Sequence, residues 1–311
     1  MRIRNAFTML ELIFVIVIMG IIGKYGTEFL MQSYNSFIYS KINNTLQSDS
    51  EITLEFIASR LQYRIKDSVI ARTDKTTAFT ALANASGETF KVLEWVSADI
   101  ENFRGTTKPN WSGIIDIDHT NATANVLVSP DTNTSAINVT INTLSHERST
   151  IDDAALFFIG ANTDINGYGW DGNALTDQTD VMHPINDIAG NLTQFAPAVG
   201  NFTGIDVYEY YKLAWTANAI MMEDFNNTTK MGNLEFYFNY QPWNGDKFYD
   251  NNPKIKHFTL MENVSTFQAM ALGSIIKIQV CTKSMIVNGV DEDDDNDTQG
   301  GYSLCKEKTI F

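Results

Sequence analysis

Residues 7–22 read Phe7-Thr8-Met9-Leu10-Glu11-Leu12-Ile13-Phe14-Val15-Ile16-Val17-Ile18-Met19-Gly20-Ile21-Ile22. Arg2 and Arg4 precede them, and the run from Ile13 to Ile22 has no polar face. Basic residues followed by an apolar stretch mark a segment that enters a membrane with its amino end inside. Phe7 to Gly23 just reaches the minimum length of a spanning helix. A cleaved secretory signal would need a small-residue pattern after the apolar run, and Gly23-Lys24-Tyr25-Gly26-Thr27-Glu28 has none. A buried soluble helix fits poorly with strongly apolar residues all round. Neither those readings nor a plain anchor accounts for Glu11, whose carboxylate costs about 2.5–3.5 kcal/mol inside a bilayer. Cleavage after Ala6 would make Phe7 a new amino terminus. Its ammonium group and the Glu11 carboxylate of a neighbouring copy would then neutralise each other within the lipid.

A short basic leader, a small residue before the cut, Phe-Thr-x-x-Glu and a long apolar helix are the pattern of the type IV pilin superfamily. Arg2, Arg4, Ala6, Phe7, Thr8, Glu11 and Leu12–Ile22 resemble it in register, with Ala6 standing where the family usually has glycine. The resemblance covers about thirty residues. It implies cleavage between Ala6 and Phe7 by a prepilin peptidase, N-methylation of Phe7, and an assembly role for Glu11. The implied partners are other pilin or pseudopilin subunits, an inner-membrane assembly platform and membrane lipid. The implied fold is α+β, with a long amino-terminal helix, its first half membrane-embedded, packed on an antiparallel sheet.

From Phe29 the pattern narrows to one apolar stripe. Leu30, Tyr34, Phe37, Ile38, Ile42 and Leu46 recur at helical spacing, and Leu54, Ile57, Leu61, Ile65 and Val69 continue it. The first proline is Pro109, so one helix over 7–70 is expected, roughly 95 Å long at about 1.5 Å per residue. Residues 1–6 are then a leader, about 7–26 the spanning part, and 71–311 a globular body outside the cytoplasm. Gly20, Gly23 and Gly26 either bend the helix or let it pack closely, and the stripe weakens and shifts phase around Gln47–Ser50, where a break is the alternative to one continuous helix. The carboxyl half of the stripe should pack on the body and the amino half on other subunits.

In the body, Lys91–Val96, Val126–Val128, Ile137–Ile141 and Ala155–Ile159 read as strands. Leu234, Phe236, Phe238 and Tyr240 alternate with polar or outward residues, Lys256–Met261 follows, and Ile276, Ile278 and Val280 alternate again. The chain ends on a β-like run, 302–311, with Lys306 and Lys308 facing away from Glu307. Short links between successive strands favour an antiparallel sheet. Cys281 and Cys305 lie in this last hairpin. They are either free buried thiols or a bridge formed in an oxidising compartment; the pilin resemblance implies the bridge.

Lys and Arg number 22 against 37 Asp and Glu, a net charge of −15, which excludes nucleic-acid binding by charge alone. Asp291-Glu292-Asp293-Asp294-Asp295-Asn296-Asp297 concentrates six carboxylates between the cysteines. Oxygen ligands at Asp291, Asp293, Asp295 and Asp297 suit Ca²⁺, against the alternative of a solvated hairpin tip. A second candidate calcium loop uses Asp164, Asn166 and Asp171, against an asparagine-rich turn. No cofactor is required by either reading. His-Glu-x-x-His, Gly-x-Ser-x-Gly and phosphate-loop patterns are absent from the sequence, and His119, His146, His183 and His257 are scattered. A non-catalytic protein is expected. Among many Asn-x-Ser/Thr tripeptides, Asn133 and Asn226 are two that carry an acidic residue two positions earlier, as some bacterial glycosylation systems require.

About 240 residues beyond the helix are too bulky for every layer of a filament. The expected function is therefore a minor pilin, or a J-type minor pseudopilin of type II secretion, lodged in the inner membrane with its body in the periplasm or built into a surface filament. The alternative is an anchored adhesin that binds through 74–311.

Overall fold

The computed structural model describes residues 8–85, 89–161, 163–284 and 303–311. Helix α1 runs Met9–Leu61 without interruption. Of the two readings at Gln47–Ser50 the continuous helix holds: Ser50 Oγ donates to the Leu46 carbonyl at 2.6 Å and Gln47 Nε2 to Asn43 Oδ1 at 3.3 Å, both within regular helix. Gly20, Gly23 and Gly26 are also helical.

The helix stops nine residues short of the expected position 70. Beyond Leu61 the backbone turns to pair with a strand: Ile65 N–H donates to the Val96 carbonyl at 2.9 Å, and Arg64 bridges Ser97. Ile65 and Val69 keep helical spacing in sequence, yet they enter different cores. Sheet pairing overrides the stripe.

A 3₁₀ turn at Lys66–Ser68 leads to β1 (Ile70–Arg72), β2 (Thr80–Ala81), β3 (Val92–Ser97) and the short helix α2 (Ile100–Arg104). The middle of the chain forms β4 (Leu127–Val128), α3 (Thr134–Leu144), β5 (Ala155–Phe158), β6 (Met182–Ile188), β7 (Asn191–Pro197) and β8 (Tyr211–Ala214). Five longer strands follow: β9 (Thr216–Asn226), β10 (Met231–Tyr240), β11 (Lys256–Leu272), β12 (Ile275–Lys283) and β13 (Ser303–Ile310). They assemble into an eight-stranded sheet, β13-β12-β11-β10-β9-β3-β1-β2, and a five-stranded sheet, β4-β7-β6-β5-β8. The named strand pairs are antiparallel. The layout is α+β, as the sequence leads one to expect.

Residues 137–141 are helical rather than extended. Ile137 and Ile141 are fully buried while Val139 is 62% exposed, so i, i+4 spacing and not alternation places the apolar side chains. Asn133 starts this helix, its Oδ1 accepting from Ala136 N–H at 3.0 Å. The sequence carries both periodicities at once, and the cap decides.

Strand β10 also departs from simple alternation. Leu234 and Phe236 face α1, but a register shift between Phe238 and Tyr240, with Asn239 at φ +63°, turns Tyr240 to the opposite side. Strand β11 serves two neighbours in turn, pairing with β10 through residues 256–264 and with β12 from Val264 to Leu272.

Three cores result. Leu54, Ile57, Ala58 and Leu61 of α1 pack on one face of the large sheet, against Leu93, Trp95, Leu234, Phe236, Val264, Ile278 and Val280. The opposite face buries Val92, Val96, Ala219 and Tyr240 with Tyr168, Trp170, Trp243 and Phe248 from the connecting loops. The third core joins α3 to the small sheet through Ile137, Ile141, Leu156, Phe158, Ile185, Phe195 and Leu213. Arg72 and Glu94 form a buried ion pair at 2.6 Å beside the second core, where Tyr240 Oη donates to Glu94 at 2.9 Å and Arg72 to the Trp170 carbonyl at 2.6 Å. Burial pushes the Glu94 carboxyl up, while Arg72 and Tyr240 oppose that shift.

Candidate membrane anchor and assembly surface

Thr8 is the N-cap of α1. Its carbonyl accepts from Glu11 N–H at 3.0 Å and from Leu12 N–H at 3.2 Å, and its hydroxyl stands 3.4 Å from Glu11 N. Thr8-x-x-Glu11 is thus a helix-start pattern, with the carboxylate in the first turn where the helix dipole favours negative charge. This second meaning of Thr8 and Glu11 is legible in the four residues themselves. Among the described residues no side chain pairs with the Glu11 carboxylate. Ala6 and Phe7, the expected cleavage site, lie outside the described residues.

The helix divides sharply by exposure. Every residue from Thr8 to Phe37 is exposed, including Leu12, Phe14, Ile16 and Ile22. An 18-residue window here has a mean hydropathy of 2.0 and no buried residue, so the segment is long and apolar enough to cross a membrane. The uncovered surface continues past the apolar window through Phe29, Leu30, Tyr34 and Phe37. An apolar surface of that size belongs against lipid or protein.

From Ile38 the same stripe begins to be covered, and from Ser50 it is buried. This half is fixed to the carboxyl-terminal strand by charge as well. Lys306 Nζ lies 2.9 Å from Glu51, and Lys308 pairs with Glu55. Two carboxylates one helical turn apart are separated by about 6 Å, and two lysines at alternate strand positions by about 6.6 Å, so the two repeats match. Lys306 holds the Glu51 carboxyl below its ordinary range by hydrogen bond and by charge. Glu307, between the lysines, points the other way and pairs with Lys277 at 2.7 Å. The alternation of Lys306, Glu307 and Lys308 was visible in the sequence; its partners on the helix were not.

Cys281 and Cys305 form a disulfide and sit directly opposite each other in the β12–β13 register. The covalent link therefore holds the strand that carries Lys306 and Lys308. Beside the carboxyl end of α1 a pocket of about 170 Å³ is lined by Phe56, Phe236, Phe238, Phe258 and Trp215. At its edge Arg60 stacks over Phe56 and pairs with Glu101 at 3.5 Å.

Of the candidate calcium ligands, Asp291, Asp293, Asp295 and Asp297 lie outside the described residues. Asp164 and Asp171 each close a small turn. Asp164 accepts from Asn166 N–H at 3.0 Å and from its side-chain amide at 2.9 Å; Asp171 does the same for Asn173 at 3.0 and 2.7 Å. Partial burial, then the charges of Asp177, Asp171 and Asp164, raise the Asp180 carboxyl above its ordinary range. Among the described residues no three His, Cys, Asp or Glu side chains are placed to hold a metal ion. His183 is structural: it is buried against Phe158, accepts or donates at Gln178 over 3.2 Å, and its burial lowers its pKa to about 4.

The chain matches no protein-family model, no curated protein and no solved structure. Its amino-terminal pattern and its layout, a long apolar-ended helix on an antiparallel sheet with one disulfide, carry the functional reading.

Proposed function

We propose that this chain is a non-catalytic minor pilin or pseudopilin subunit, inserted in the inner membrane by its amino-terminal helix and assembled into a type IV pilus or type II secretion pseudopilus. One observation carries the reading. A single 53-residue helix leaves its apolar amino half fully uncovered while its other half is buried in, and salt-bridged to, a folded body. A plain tether needs no such coupling. A subunit drawn out of the bilayer by its neighbours does, because force applied to the helix must move the body with it.

The chemistry of assembly follows from Glu11. Cleavage between Ala6 and Phe7 by prepilin peptidase frees an amine at Phe7, and this amine meets the Glu11 carboxylate of an adjacent subunit in a low-dielectric surrounding. There the attraction is stronger than in water, and it removes the cost of a lone intramembrane carboxylate. The exposed stripe from Phe29 to Phe37 extends the contact along neighbouring helices, and the size of the body favours a position at or near the filament tip. This reading puts the body in the periplasm, and the Cys281–Cys305 bridge supports it, because such bridges persist in oxidising compartments.

Mass spectrometry of the amino terminus, on protein from its native host, tests the processing step. The expected species begins at an N-methylated Phe7; a chain that keeps Met1 contradicts it.

A further inference from the structure

The hairpin joining β9 to β10 carries Asp224-Phe225-Asn226-Asn227-Thr228, an Asn-x-Thr tripeptide with a carboxylate two residues before the asparagine. Such tripeptides are frequent in an Asn- and Thr-rich chain, so composition alone does not select one. The folded geometry does. Asn226 is the last residue of β9, and Asn226, Asn227, Thr228 and Asp224 are all exposed. The tip is a surface turn that another protein can approach without opening the sheet.

The asparagine is already held in the conformation that groups the motif. Asn226 Oδ1 accepts from Thr228 N–H at 2.8 Å and from Thr229 N–H at 3.4 Å. An amide nitrogen cannot accept, so these donors fix which end of the side chain is oxygen. The turn engages the oxygen, polarises the amide, and draws the backbone of the motif threonine onto the acceptor side chain. Asp224, at φ +52°, stands at the entry to the same turn.

Two other tripeptides serve as internal comparisons. Asn133, which also has an acid two residues earlier, is half-buried between the buried Thr132 and Thr134, and its Oδ1 caps α3 through Ala136. A transferase could reach it only by opening the segment at the buried Thr132 and Thr134. Asn201-Phe202-Thr203 has the same turn hydrogen bond, Thr203 N–H donating to Asn201 Oδ1 at 2.9 Å, but Phe202 is buried and Val199 stands where the acid is needed. Asn226 alone of these three combines acid, exposure and turn.

We propose that Asn226 is an acceptor for N-linked glycosylation by a bacterial oligosaccharyltransferase whose donor is a polyprenyl-diphosphate-linked oligosaccharide. Asn226 Nδ2 forms the new bond to the anomeric carbon. The bond from that carbon to the diphosphate oxygen breaks, the lipid diphosphate leaves with the electron pair, and the amide proton passes to a carboxylate of the transferase. In the cell the modification rests on the reading above, since it needs the body on the side of the membrane where such transferases work.

The test is made so that the two can fail separately. Full-length chain, purified in detergent, is incubated with an acid-requiring bacterial oligosaccharyltransferase, its lipid-linked donor and a control acceptor peptide. The tryptic peptide 213–230 contains Asn226 and is read by mass. It is expected to gain one glycan, to lose it in Asn226→Gln and in Asp224→Asn, and to keep it in Asn227→Gln. The peptide that contains Asn201 is expected to stay unmodified. An unmodified 213–230 beside a modified control peptide overturns the proposal, as does a glycan that survives Asn226→Gln or appears at Asn201 instead. Because the enzyme is supplied to purified protein, these outcomes do not depend on export.

Discussion

Lys306 on the last strand and Glu51 on the long helix meet at 2.9 Å, one strand position pair and one helical turn from the matching contact of Lys308 with Glu55. The last strand is thereby tied to the long helix over the segment where the helix passes from exposed to buried. The tie sits beside a disulfide that fixes the same strand.

Reversing both lysines, Lys306→Glu with Lys308→Glu, should lower the melting temperature and speed amide exchange in residues 50–58 more than elsewhere. Adding Glu51→Lys and Glu55→Lys should restore protection. Hydrogen exchange read by mass spectrometry checks both. Glu51 has a lowered folded-state pKa, so its share of the tie is present above the ordinary carboxylate range and is lost as pH falls through the lowered value.

Removing the disulfide by Cys281→Ser with Cys305→Ser should cost about 3 kcal/mol on the loop-entropy argument for cysteines 24 positions apart. Urea unfolding with and without reductant measures it. The reduced wild-type protein and the double variant should coincide.

Two buried groups should pull the pH dependence of stability in opposite directions. Burial raises Asp99 to about 7, although it N-caps α2 and accepts from Asn102 N–H at 3.1 Å. The folded state therefore holds a proton that the unfolded state has released, and this contribution shrinks as pH rises from about 4 to about 7. Burial lowers His183 to about 4, so the unfolded state binds the extra proton and stability falls as pH drops from about 6.5 towards 4. Asp99→Asn should remove the first slope and leave the second; His183→Gln should do the reverse. Thermal melts across pH 4–8 separate them.

Arg72→Met should destabilise by about 3–5 kcal/mol, because it leaves Glu94 buried without its cation. The double variant with Glu94→Gln should recover much of that loss, since an amide can keep the Tyr240 hydrogen bond. Denaturant melts of the two variants decide the point.

The helix as far as Leu61, most of β10, and strands β12 and β13 were legible because each carries one clear periodicity, whereas β11 runs on to Leu272, eleven residues past the expected Met261. Where two periodicities coexist, neighbours decide. Ile137-Asn138-Val139-Thr140-Ile141 alternates like a strand and also spaces Ile137 and Ile141 like a helix, and the Asn133 cap settles it. Ile65 and Val69 continue the helical stripe, but the strand containing Val96 captures the backbone first. Contacts between distant segments left weaker marks. Lys306 and Lys308 could be seen to share a face, while Glu51 and Glu55 as their partners, and Arg72 with Glu94, depend on tertiary placement. At the amino terminus the pattern was informative twice, since Thr8-x-x-Glu11 starts the helix as well as suggesting assembly.

In the proposed assembly, Glu11 is the group on which neighbouring subunits meet. Wild-type chain and Glu11→Ala, each tagged, are expressed together in the native host, and the ratio of the two tags is measured in membranes and in sheared or cross-linked filaments. Equal amounts in the membrane with Glu11→Ala at least tenfold depleted from filaments is the predicted result. Equal ratios in both fractions would contradict the claim that this carboxylate drives assembly.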